Sequence, residues 1–158
     1  MKKLLFSLLL ACAAATGFSQ AAGIEITNRT DCDVYLRIRG SKDCACNDDY
    51  YSNVLMIPAG TSVSYSNTLT LGGTFPPASP VFVHSANIFS GSRECQGLVS
   101  WLVGENSATF PPSSCNFPPQ ALFYAMNKDC RVVCERLTAR WVNADYACRG
   151  IARLQIMP

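Results

Sequence analysis

Apolar and polar residues alternate with a period of two along most of this chain. Ile24 and Ile26 alternate with Glu25 and Thr27, and Val34, Leu36 and Ile38 with Tyr35, Arg37 and Arg39. Such alternation puts one face of an extended segment against a core and the other in water, so each run predicts a half-buried strand. Val54 to Ile57 reads as a third strand, closed by the turn residues Pro58-Ala59-Gly60, and Val63 to Leu71 as a fourth. Val81 to Phe89, Leu98 to Val103 and Ala121 to Met126 follow, and Ala152, Leu154 and Ile156 form the last. Between them lie turn-rich loops at 39–53, 72–80 and 105–120. The segment 130–142 carries two patterns. Cys130, Val133, Cys134, Leu137 and Trp141 have the spacing of one short helix, while Val133, Leu137, Ala139 and Trp141 share one face of a strand. The strand is preferred because every neighbouring element is one. Roughly eight short strands separated by Gly/Pro turns predict a mainly β chain, an antiparallel β-sandwich.

The N-terminus breaks this pattern. Lys2 and Lys3 precede an apolar run from Leu4 to Ala15 interrupted only by Ser7, and small and polar residues then lead to Ser19-Gln20-Ala21-Ala22. That order is the pattern of a secretory signal peptide. The run is too short for a membrane-spanning helix, which needs about 20 apolar residues. The expected organisation is therefore a signal peptide at 1–21, cut between Ala21 and Ala22, followed by a single disulfide-rich β domain at 22–158. An alternative starts from Leu9-Leu10-Ala11-Cys12, which resembles a lipoprotein lipobox. Cys12 would then become a lipidated N-terminus and anchor an outer-membrane lipoprotein, the only route to a membrane in this reading. The formal net charge of +2 equals the two signal lysines, so the domain itself is neutral. A neutral domain has no global field to attract nucleic acid, and no nucleic-acid partner is expected.

Cysteines fix the compartment. Besides Cys12 the chain has Cys32, Cys44, Cys46, Cys95, Cys115, Cys130, Cys134 and Cys148. An even set of eight in an exported chain reads as four disulfides, and their pairing is not deducible from spacing. Metal binding is the rival reading. However, Cys44-Ala45-Cys46 is too close for the usual zinc hook, and His84 is the only histidine, so no metal and no cofactor are expected.

Catalytic chemistry finds little support. Ser90-Gly91-Ser92 is not a nucleophile elbow. His84, the one possible imidazole base, sits mid-strand and reads as a half-buried or surface residue. Asp43, Asp48 and Asp49 surround the Cys44–Cys46 loop without the spacing of a calcium site, and no carboxylate pair stands out for glycoside hydrolysis.

One unusual feature remains. Phe75-Pro76-Pro77, Phe110-Pro111-Pro112 and Phe117-Pro118-Pro119 repeat a triplet that uses six of the nine prolines. Paired prolines stiffen a loop before any partner arrives. Counting strands sends all three triplets to one pole of a sandwich. There Phe75, Phe110 and Phe117 either plug the loops or form an apolar contact tip for protein or carbohydrate.

The opening Ile24-Glu25-Ile26-Thr27-Asn28-Arg29-Thr30-Asp31-Cys32-Asp33-Val34-Tyr35, with Ile57-Pro58-Ala59-Gly60-Thr61-Ser62-Val63 later, resembles the start of thaumatin-like β-sandwiches. The likeness covers the first part of the domain only, and that family's acidic-cleft motifs are not recognisable, so it implies a strand arrangement and no site. The whole chain also resembles small exported β-sandwich proteins of Gram-negative bacteria, which implies an address. The resulting expectation is a non-enzymatic binding or structural module, secreted or periplasmic, with a protein or carbohydrate partner. A secreted inhibitor or toxin-like effector is the alternative, and a small carbohydrate-active enzyme the third reading.

Overall fold

The computed structural model describes residues 23–43, 46–79, 81–106, 115–142 and 150–158. The signal segment, Cys44, Phe110 and Cys148 lie outside the described residues. The described chain forms ten strands: β1 (Gly23–Asn28), β2 (Val34–Ser41), β3 (Tyr50–Tyr51), β4 (Leu55–Ile57), β5 (Ser62–Tyr65), β6 (Phe82–Phe89), β7 (Ser100–Gly104), β8 (Gln120–Met126), β9 (Val132–Val142) and β10 (Ile151–Met157). They build two packed sheets. The first runs β5-β1-β10-β9-β8; the second runs β3-β2-β6-β7, with β4 also paired to β2.

The alternation read from sequence is the alternation of burial. Ile24, Ile26, Leu154 and Ile156 of the first sheet meet Leu36, Ile38, Ile88 and Val103 of the second in one core that excludes water from all of them. One pairing departs from an antiparallel sandwich, because β1 and β10 run parallel, with Gly23 opposite Ile151. The chain closes its first sheet by laying its last strand beside its first.

In the segment 130–142 the preferred strand forms, as β9, the longest strand described, and the alternative short helix does not. Its helical spacing comes from β-bulges. Phe123 of β8 pairs with Leu137 and Ala125 with Cys134, so β9 carries an extra residue there, and Arg136 adopts a left-handed φ of 58°. A bulge shifts the inward positions by one. The core-side residues then fall at Cys134, Leu137, Ala139 and Trp141, a spacing that imitates a helix. The fourth expected strand is also shorter than its pattern. It ends at Tyr65, and Asn67 caps a 3₁₀ turn over Thr68–Thr70 by accepting from the Leu69 N–H at 3.1 Å.

Among the described residues three disulfides clamp the sandwich. Cys32–Cys134 ties the β1–β2 connection to β9, Cys46–Cys115 ties the loop after β2 to the segment before β8, and Cys95–Cys130 ties the β6–β7 connection to the β8–β9 turn. Asn28, fully buried, holds the β1–β2 connection against the turn before β5. Its Nδ2 donates to the carbonyls of Cys32 (2.8 Å), Ile57 (3.1 Å) and Pro58 (3.1 Å). Its Oδ1 accepts from the Thr30 N–H and hydroxyl. Residues 24–35 and 57–63 thus meet at one side chain.

Candidate functional site

The single histidine is not at the surface. Arg39 of β2 pairs with Ser85 and Gly40 pairs with Val83, so His84 is the extra residue of a bulge in β6. A bulge re-aims the side chain it carries. Here the ring is turned under the loop that follows β2 and the segment that precedes β8, and it is wholly buried, correcting the half-buried or surface reading. Phe117 stacks on it with centroids 5.2 Å apart and planes 8° from parallel. Nε2 lies 3.1 Å from the Asn47 carbonyl, which can only accept, so this nitrogen bears the proton; Nδ1 then accepts from the Ser85 hydroxyl at 2.9 Å. Both nitrogens of the neutral ring are satisfied. Burial pushes the His84 pKa down, opposed in part by the Asn47 carbonyl and by Asp48.

A Ser, a His and an Asp therefore lie together, yet the arrangement is unsuited to catalysis. Ser85 is as buried as the ring, with Gly104 packed against its Cβ, so no substrate carbonyl can reach its oxygen. Asp48 Oδ1 is 3.9 Å from Nε2, and Oδ2 is engaged by Arg39. The group holds a covering loop in place, with Cys46–Cys115 as its covalent pin.

Phe75 and Phe117 lie at the same pole, as strand counting predicts. Phe75 is only 5% exposed and belongs to the core, where it packs on Tyr50 and against Gly40. A Cβ at Gly40 would run into the Phe75 ring and the Phe82 carbonyl, so glycine makes this approach possible. Phe117 is half-buried on His84. The two described rings thus occupy the plug positions of their loops, and Phe75 offers nothing to a contact tip. Among the described residues no group of three His, Cys, Asp or Glu side chains could hold a metal ion. Asp48 and Asp49 of the 43–49 loop are used internally, Asp49 accepting from the Lys42 N–H at 2.9 Å.

Surfaces that could meet a partner lie elsewhere. The ends of β8 are tied to the second sheet by Gly104 N–H to Pro118 O (2.9 Å) and Met126 N–H to Ser90 O (2.6 Å). Between these ties an open groove of about 380 Å³ is lined by Trp101, Leu122, Phe123, Tyr124, Val132 and the Glu135–Arg136 bulge. Trp101 meets Tyr124 edge-on at 5.1 Å, which holds both rings in place at the groove wall. Leu122 is 71% exposed and Val132 47%. Alternation alone could not show this surface, because the bulge brings Glu135 and Arg136 to it beside Val132. A second cleft, of about 580 Å³, lies over the Cys32–Cys134 bridge between Asp31, Asp33, Tyr35 and Lys128.

No protein-family model, curated protein or solved structure matches this chain. Its chemistry still constrains its surroundings. Disulfides form and persist in oxidising compartments, and the three described here point to a setting outside the reducing cytoplasm.

Proposed function

We propose that this chain is a non-enzymatic, exported binding module, and that its contact surface is the groove between β7, β8 and β9. The observation that carries the reading is the exposure there of Leu122 and Val132 beside the fixed rings of Trp101 and Tyr124. Two of the eight large hydrophobic side chains exposed among the described residues line this groove. A small neutral domain gains nothing for its own stability by leaving them in water, and contiguous exposed apolar surface marks interaction sites. The groove is open and shallow, with Glu135 and Arg136 at its rim, which suits a protein segment presenting an apolar side chain better than an enclosed small molecule.

The address rests on the N-terminal pattern and the disulfides together. Cleavage after Ala21 delivers a soluble periplasmic or secreted domain, whereas lipidation at Cys12 would deliver the same domain tethered to the outer membrane. The test replaces Leu122 and Val132 by Glu in the exported, oxidised protein. Partner binding from envelope or culture fractions falls at least about tenfold at unchanged melting temperature, the effect of removing central apolar anchors. Unchanged binding would remove the groove as the contact surface.

A further inference from the structure

We propose that the outer face of the second sheet is a recognition site for a carboxylate-bearing sugar, with Arg37 as the residue that takes the carboxylate. The pairing register sets the layout of that face. Arg39 stands beside Ser85 and Tyr51, Arg37 beside Asn87, and Tyr35 beside Phe89 and Met56. Two arginines two residues apart on one strand face the same way, and the fold treats them differently. The loop after β2 brings Asp48 to Arg39. Arg37 is bonded to no acid or other acceptor among the described residues, and its Nε is buried without a hydrogen-bond partner.

Arg37 is nonetheless held in position. Its guanidinium carbon lies 5.1 Å from the centre of the Tyr51 ring and 6.0 Å from that of Phe89. Rings on both flanks stabilise the cation and fix its plane without neutralising it, and a fixed guanidinium fork is complementary to a carboxylate. The Arg39–Asp48 pair shows a carboxylate meeting an arginine on this face, so a ligand carboxylate at Arg37 would repeat that contact one position along the strand.

The surroundings favour a sugar as the bearer of that carboxylate. Asn87 supplies a neutral amide next to Arg37, able to donate and accept at once, as hydroxyl groups require. Tyr51 is exposed, and Tyr35 and Phe89 are half-buried, giving flat aromatic surface for the apolar face of a pyranose ring. The site lies on a different face from the β7–β9 groove and stands or falls apart from it.

The experiment titrates the oxidised full domain with tetragalacturonate, with its methyl ester, and with a peptide ending in a free carboxylate, following binding by calorimetry and amide shifts. Saturable binding of tetragalacturonate, weakened by salt and lost with the methyl ester, is expected. Arg37→Gln should weaken it at least about tenfold, the loss of a charge-assisted contact, and Tyr51→Ala should weaken it less. Arg153→Gln, at a surface pair on the other sheet, should leave it unchanged. Thermal unfolding of each variant establishes that it is folded. No binding of the acid, equal binding of the ester, undiminished binding by folded Arg37→Gln, or preference for the peptide carboxylate would each overturn the proposal.

Discussion

Removing the Cys32–Cys134 bridge tests how the disulfides share the work of stabilising this domain. The bridge spans 102 residues of sequence, and Cys95–Cys130 spans 35. In the chain-entropy account a loop of that greater length is worth about 4.7 kcal/mol and one of the lesser length about 3.8 kcal/mol. Taken singly, the long bridge should therefore matter more, by about 1 kcal/mol. The three described bridges interlock, however. With Cys46–Cys115 intact, the covalent path from Cys32 to Cys134 runs through that bridge and covers only about 33 residues, so the loop released is no larger than the one Cys95–Cys130 closes. Cys32→Ala/Cys134→Ala and Cys95→Ala/Cys130→Ala should then each cost about 4 kcal/mol, with the first no more costly than the second. Guanidinium unfolding of the oxidised proteins at pH 7, extrapolated to water, measures both. A loss about 1 kcal/mol or more larger for the Cys32–Cys134 deletion would refute the interlocked picture, as would a negligible loss for either.

Acid should weaken the domain in a way that traces to His84. Its pKa is lowered in the fold by burial, so the unfolded chain takes up a proton first. The stabilisation is complete above the unfolded pKa of about 6.5 and is lost as pH falls below it towards the folded value; melting curves from pH 7.5 to 4.5 should fall more steeply for wild type than for His84→Gln, and parallel slopes would contradict this. Phe75→Ala should cost about 3–5 kcal/mol as a buried aromatic truncation, and Phe117→Ala clearly less, with the acid response of His84 reduced as its stacking lid is removed; equal costs in denaturant unfolding would count against the plug assignment. Intact mass and thiol titration of exported material should show a chain starting at Ala22 with no free thiol, whereas a mass fitting a diacylated or triacylated Cys12 start would establish the membrane-anchored form.

The strands were legible where alternation is regular or an apolar run is bounded by turn residues. β1, β2 and β10 match their alternating runs closely, and β6 and β8 fall on the runs Val81–Phe89 and Ala121–Met126. β3 is two residues long and exists only because Tyr50 and Tyr51 pair with Gly40 and Arg39, a contact no local pattern announces. β9 was ambiguous for a physical reason: a bulge changes the phase of burial midway, and a phase change of one imitates helical spacing. The environment of His84 was hidden more deeply. Asn47, Asp48 and Phe117 reach it from 37, 36 and 33 residues away, and the covering loop is held by a Cys46–Cys115 pairing that spacing cannot supply. Alternation did place Arg37 and Arg39 on one outward face, but Asp48 choosing one of them is a tertiary fact. The groove on β7–β9 was invisible in the sequence, since Trp101, Leu122 and Val132 come together only through strand pairing and the β9 bulge.

The central claim is that this is an exported binding module with the β7–β9 groove as its contact surface, and site-specific photo-crosslinking in the exporting cell tests it most directly. A photoreactive residue replaces Leu122 in the groove or Ser62 on the distant edge strand β5. The account predicts a discrete cross-linked species from position 122 that is absent from position 62 and disappears when Val132→Glu is added without loss of stability. Equal capture at the two positions, or a position-122 product indifferent to Val132→Glu, would contradict it.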